Sequence, residues 1–157
     1  MIAVAIVGVL ASVAIPLFTR YQNKAKTAEV KANLGAIRVA EEAYFSERGT
    51  FIAADPEPLL IPGSTATYFD SLAGGYASLG WRPEGQVYFS YSVATGPDAT
   101  GYTADAAADI DGDGLVQVWG YAKPDALGVM ANGTMGCEPL VLSPNKIGRC
   151  SADPSVF

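Results

Sequence analysis

The first eighteen residues, MIAVAIVGVLASVAIPLF, carry no charge and leave no polar face. An uncharged run of that length lies at the lower limit of a membrane span, whereas a core helix of a soluble domain keeps one polar side. From Thr19 to Arg48 the pattern changes but stays helical: Val30, Leu34, Ile37 and Tyr44 recur at about 3.6-residue spacing and so share one face. Lys24, Lys31 and Arg38 recur every seven residues and are placed on roughly the opposite face, as a solvated basic stripe. Gly49, directly after Arg48, supplies a left-handed cap, so one helix is expected over residues 1–48. At 1.5 Å per residue it would be about 70 Å long, more than a domain of this size can bury, and its first half must project. Gly8 and Pro16 are the weak points of that half.

Residues 52–85 are rich in Pro and Gly and read as a connecting region with one short helix. QVYFSYSVA, residues 86–94, alternates Val87, Phe89, Tyr91 and Val93 with polar positions, the pattern of a strand with one face on the helix. GYTADAAAD reads as a weaker strand and LVQVWGY as a stronger one. Three antiparallel strands laid across one helix would bury both apolar surfaces, giving an α+β fold with a protruding helix and a small antiparallel β-sheet head. Residues 1–48 form the helical unit, with 1–18 as its membrane segment, and 49–157 form the head. Tyr88, Trp119 and Tyr121 are expected on the outer sheet face or its rim, in ordinary sheet packing.

Charge sharpens this division. The net charge of −6 splits into +2 over residues 1–48 and −8 over 49–157. An acidic head argues against a dedicated nucleic-acid groove, which needs clustered Lys and Arg. The chain has no histidine, the commonest general base and metal ligand, and no G-x-S-x-G turn or P-loop. No catalytic or cofactor-binding residue is nominated, and a membrane-anchored enzyme or binding module ranks last among the functions considered.

Asp109-Ile-Asp111-Gly-Asp113-Gly114 is the first half of a Ca²⁺ loop, D-x-D-x-D-G, in which hard oxygens balance the cation. The second half is missing: position 12 is Gly120, where a bidentate Glu is expected. Asp105 and Asp125 are the nearest groups to complete such a site. The alternative is a plain D-G hairpin turn, and Ca²⁺ is the one cofactor the pattern admits. Cys137 and Cys150 are separated by twelve residues. They are either joined, closing a loop worth about 3 kcal/mol in the chain-entropy model, or two buried thiols. Pro139 and Pro144 suit an edge or loop, and Asn132-Gly133-Thr134 matches both a glycosylation sequon and a turn.

The opening run resembles, residue by residue, the start of type IV pilins, of the kind MIVVAIIGILAAIAIPNF. Met1, Ile2, Val4, Ala5, Ile6, Gly8, Leu10, Ala11, Ala14, Ile15, Pro16 and Phe18 fall at matching places, and AEEAYFSERGTF is similar to the end of the long pilin helix. The family carries a basic leader, a cleavage site and an FTLIEL-type start with an assembly glutamate before this point. The sequence opens at the following residue, read here as a start assigned too late or residues trimmed, so neither feature is assigned. The resemblance implies a structural subunit that is held in the bacterial inner membrane, meets the assembly machinery there, and polymerises with copies of itself into a surface filament. Met1, Ile2, Val4, Ile6, Val7, Gly8, Leu10, Val13, Ile15, Pro16 and Phe18 would form its lipid and filament-core surface. It also implies helix loss between about Gly8 and Pro16 on assembly and a disulfide between Cys137 and Cys150. On polymerisation, the basic stripe of Lys24, Lys31 and Arg38 is expected to meet acidic heads of neighbouring subunits. A pseudopilin of a type II secretion system is the alternative within the same superfamily.

Overall fold

A computed structural model describes residues 2–138 and 141–150. Met1 of the apolar run and Pro139 of the C-terminal loop lie outside the described residues. Helix α1 (Ile2–Arg48) is continuous through Gly8 and Pro16. The helix loss implied for this stretch concerns the assembled state, and in the single subunit the helix is unbroken. Asn23, Thr27, Val30, Leu34, Ile37 and Glu41 form its buried stripe at three- and four-residue steps, and nearly every residue before Asn23 is exposed. The helix ends as expected: Gly49 takes φ 75° and its amide donates to the Phe45 carbonyl at 2.8 Å.

Behind α1 stand β1 (Ala54–Glu57), α2 (Tyr76–Leu79), β2 (Ser90–Thr95), β3 (Tyr102–Ala108), β4 (Gln117–Lys123) and β5 (Gly148–Arg149). The strands form one sheet in chain order, each antiparallel to the next. The sheet thus has five strands where the sequence pattern predicts three. The two additions are its edges. β1 is the short segment ADPE, whose Pro56 an edge strand tolerates because half its amides need no partner. β5 is two residues held beside β4 by the C-terminal loop, with Pro144 in the turn before it.

The strand expected over residues 86–94 joins the ladder only from Ser90. Before that point the Tyr88 amide donates to both carboxylate oxygens of Glu29, at 3.1 and 3.2 Å, and Val87 pairs with Thr67 in an isolated bridge. Ser90 and Ser92, polar positions of the alternation, are buried as well. Their hydroxyls donate to the Pro58 carbonyl and to the Asp105 carboxylate, so chain covers both sides of the sheet. The segment read as the weakest strand, β3, is central and buried throughout. Its alanines explain this. Ala104, Ala106 and Ala108 let α1 approach from one side, and Ala107 joins Val118, Ala122, Leu142 and the cysteines on the other.

Trp119 and Tyr121 lie on the helix side of the sheet, not on its outer face, with Trp119 half-buried beside the edge strand. In β4 it is Val118 and Ala122 that turn outward, beneath the C-terminal loop, and alternation sends the two aromatics to α1. Cys137 and Cys150 are bonded, with S–S 2.01 Å. Their sulfurs lie across Gly120 of β4, where an added Cβ would come within 2.5 Å of the Cys137 sulfur and 2.8 Å of the Cys150 sulfur. Substituting Gly120→Ala should therefore lower head stability by about 1–3 kcal/mol, the usual cost of overpacking, read as a lower urea midpoint. Gly8→Ala, which meets nothing within 4 Å, should leave that midpoint unchanged.

Candidate functional site

The first candidate surface is the projecting half of α1. Ile2, Val4, Ile6, Val7, Leu10, Val13, Ile15 and Phe18 are all exposed, and none of the most apolar window of this helix is buried. The two hydroxyls nearby turn back on the helix: Ser12 donates to the Val9 carbonyl at 2.7 Å and Thr19 to the Ile15 carbonyl at 3.0 Å. The surface therefore shows lipid or a neighbouring helix almost no unpaired polar side chain, which is what a span requires. By length and composition this helix can cross a membrane.

The second surface is a basic flank. The heptad spacing of Lys24, Lys31 and Arg38 is correct, but the side assigned to it is not. At about 100° per residue, Lys31 and Arg38 stand only about 60° and 40° from Leu34, so they border the packed stripe. The Lys31 ammonium lies 5.2 Å from the centre of the Trp119 ring and the Arg38 guanidinium 5.3 Å from that of Tyr121. Arg149 approaches Trp119 at 5.6 Å, so cations from α1 and β5 attend one indole. Lys24 lies 5.8 Å from the Tyr21 ring, lower on the helix. Lys24, Thr27, Ala28, Lys31, Trp119 and Arg149 line a shallow groove of about 400 Å³. On the other flank Lys26 donates to the Ser64 carbonyl at 2.7 Å and covers the Tyr88 ring.

Third is the acidic turn. Asp109, Asp111 and Asp113 each bring an oxygen within 4.8 Å of the others. The turn is also held by its own amides: Gly112 and Gly114 donate to Asp109, and Leu115 donates to Asp113. Gly112 and Gly114 sit at φ 76° and 85°, so the two D-G steps are required by the backbone whatever the carboxylates bind. Burial raises the Asp111 carboxyl, and Asp113 and Asp109 raise it further. Asp105 and Asp125 do not complete the set. Asp105 is buried in β3 and accepts from Ser92 and from the amides of Met135 and Cys137. Asp125 accepts from the amides of Leu127 and Val129. Each carboxylate is thus used to shape its own loop. Three carboxylates fall short of the six to eight oxygens that Ca²⁺ takes.

The Asn132-Gly133-Thr134 motif lies where Asp105 meets the C-terminal loop. Asn132 and Thr134 are exposed, and Gly133 is obligatory because a Cβ there would run into the Asp105 carboxylate.

Sequence reasoning missed the buried acids. Glu29 accepts from Tyr91 at 2.8 Å as well as from Tyr88, and burial raises its pKa more than these bonds lower it. Burial likewise raises Asp105 against four hydrogen bonds. Glu41 is fully buried, accepts only the Ile52 amide at 3.2 Å among the described residues, and is pushed up to about 7 by burial, with a further push from Glu42. The one signal was spacing, since Glu41 lies seven residues after Leu34 on the same face. A carboxyl whose folded pKa exceeds its unfolded value holds its proton more tightly in the native state. Its contribution is fully present below about pH 4.5 and is lost as pH rises through about 7. Glu41→Gln should remove this slope and stabilise the head at pH 8 by up to about 3 kcal/mol, measured by urea unfolding across pH 4–8.

The chain is similar to the type IV major pilin protein PilA of Myxococcus xanthus (strain DK1622), at 45% identity over 51 residues. That segment is 32% of this chain and 23% of the relative, so the match spans about a quarter of the relative's length. No family model matches, and no solved structure matches. The apolar helix, the antiparallel sheet and the disulfide are consistent with a pilin fold.

Proposed function

We propose that this chain is the structural subunit of a type IV pilus or pilus-like surface filament, polymerising through the exposed half of α1. The observation that carries this is a helix apolar on all sides for its first half and clamped into a head by one stripe in its second. Such a helix has two suitable environments, lipid and a bundle of identical helices. The similarity to a major pilin supports the same choice. In this reading the subunit waits in the bacterial inner membrane, is extracted by assembly machinery, and ends in a filament outside the cell. It does no chemistry.

The basic flank has a role in the same proposal: Lys24, Lys31 and Arg38 face acidic heads of neighbouring subunits, each of which carries the −8 of residues 49–157. Calcium enters only as a weak ligand of the acidic turn, supported by the proximity of its three carboxylates. A thermal shift with Ca²⁺, reversed by chelator, would register it, and no shift removes it.

Electron microscopy of material sheared from expressing cells, with mass spectrometry of the filament subunit, tests the main reading. Long filaments built of this chain are expected. Protein retained in the envelope without filaments would instead favour a pseudopilin. Charge reversal at Lys31 and Arg38 should leave the head folded, since both are exposed, yet lower filament yield and flatten its salt dependence. Unchanged yield and salt response would remove the flank from the interface.

A further inference from the structure

Leu59, Leu60 and Ile61 are consecutive, aliphatic and exposed, at 79%, 82% and 42%. A mobile loop would make this unremarkable, but the segment is fixed at both ends. The buried Pro58 receives the Ser90 hydroxyl on its carbonyl at 2.7 Å, and the buried Pro62 receives the Asp109 amide at 3.0 Å. Ser90 opens β2 and Asp109 follows the end of β3, so the loop caps one end of the sheet. That end faces the membrane-side part of α1: Ser64, three residues beyond Ile61, accepts from Lys26. The opposite end lies near the helix terminus, where Phe51 donates to Ala99 and Lys123 pairs with Glu42.

We propose that Leu59-Leu60-Ile61 is a second lipid contact, resting on the bilayer that holds α1 before assembly; this depends on the membrane-held subunit of the preceding reading. Lys26 lies eight positions beyond Phe18, the end of the uncharged run. At 1.5 Å each that is about 12 Å, comparable with the headgroup layer of about 5–7 Å plus the reach of a leucine on a capping loop. Charge at this end nearly cancels. Arg20, Lys24 and Lys26 lie on the helix and Asp109, Asp111 and Asp113 on the acidic turn, so apolar contact decides the attraction. The loop would set the height and tilt of the head over the membrane, which a lone helix leaves free.

The test uses the full chain, its disulfide kept oxidised, in phosphatidylethanolamine–phosphatidylglycerol nanodiscs with a headgroup-level spin-labelled lipid. An environment-sensitive fluorophore is placed at Leu60→Cys, at Leu10→Cys within the span, and at Leu127→Cys. Leu127 is 87% exposed in the turn after β4, at the far end of the head. The label at 60 should be quenched at least about twofold relative to that at 127, equally at one or several chains per disc. Equal behaviour at 60 and 127 overturns the proposal, as does protection at 60 only when several chains share a disc, which would assign the loop to a neighbouring subunit. A label at 10 that stays in water overturns the membrane reading itself, and the loop contact with it.

Discussion

Because α1 is one unbroken rod, whatever orients its buried half also aims its exposed half. The seam that does this is narrow. Val30, Leu34 and Ile37 are fully buried against a sheet whose centre, Ala104, Ala106 and Ala108, has only methyl groups to offer. Small residues on the strand let the helix sit close, and aromatics, Tyr91 and Tyr121 from the flanking strands and Tyr102 from the start of β3 itself, fill the space beside it. Burying each aliphatic side chain contributes roughly 1.5–3 kcal/mol, against a net stability of about 5–15 kcal/mol for a typical domain. Three such residues therefore weigh heavily in whether the rod has a head at all.

Polar contacts on the two flanks do a different job. Glu29 gathers Tyr88, Tyr91 and Asn33 on one side, and Lys31 and Arg38 lie over Trp119 and Tyr121 on the other. An exposed cation over an aromatic ring is worth about 0.5–1 kcal/mol, too little to hold the helix but enough to bias its rotation. Arg149 and Lys31 on one indole also leave positive charge at the surface of a largely acidic head. The same residues thus bias the rotation of the helix within the subunit and present charge outside it.

The parts of this architecture that follow a period were legible in the sequence. Uncharged for eighteen residues, then apolar at 3.6-residue steps, α1 could be read to its last residue, including its glycine cap. Strands were harder wherever burial was two-sided. β3 looked weak because alanines carry little hydrophobic signal, yet alanine is what a strand needs between a helix and a disulfide loop. Ser92 fell on the polar side of an alternation that assumes one wet face, and Asp105 read as a partner of the acidic turn, yet both are buried where the C-terminal loop covers the sheet. The basic residues were found by heptad spacing and put on the wrong side, since a seven-residue repeat fixes that they share a side but not how far it lies from the core. Gly120 carried a signal that went unread in this sense: a glycine inside a strongly apolar strand marks a close approach, here by two sulfurs. The acidic turn came together as its pattern implied, while its expected partners, Asp105 and Asp125, were already occupied in other loops.

On the proposed reading, in which the subunit leaves a bilayer to join a filament, this division of labour addresses a problem. The apolar half of α1 loses little on exchanging lipid for identical helices, because both bury comparable apolar area and the hydrophobic effect scarcely distinguishes them. The choice between the two states then falls to the head, through contacts individually worth about a kcal/mol or less. Weak contacts suffice when the large term cancels, and they leave the equilibrium open to control by a machine, by salt or by neighbours. A head held by a stronger, more apolar surface would aggregate in the membrane before it could be extracted. On this argument the acidic, polar head and the featureless apolar helix are complementary requirements, each workable only because the other has the opposite character.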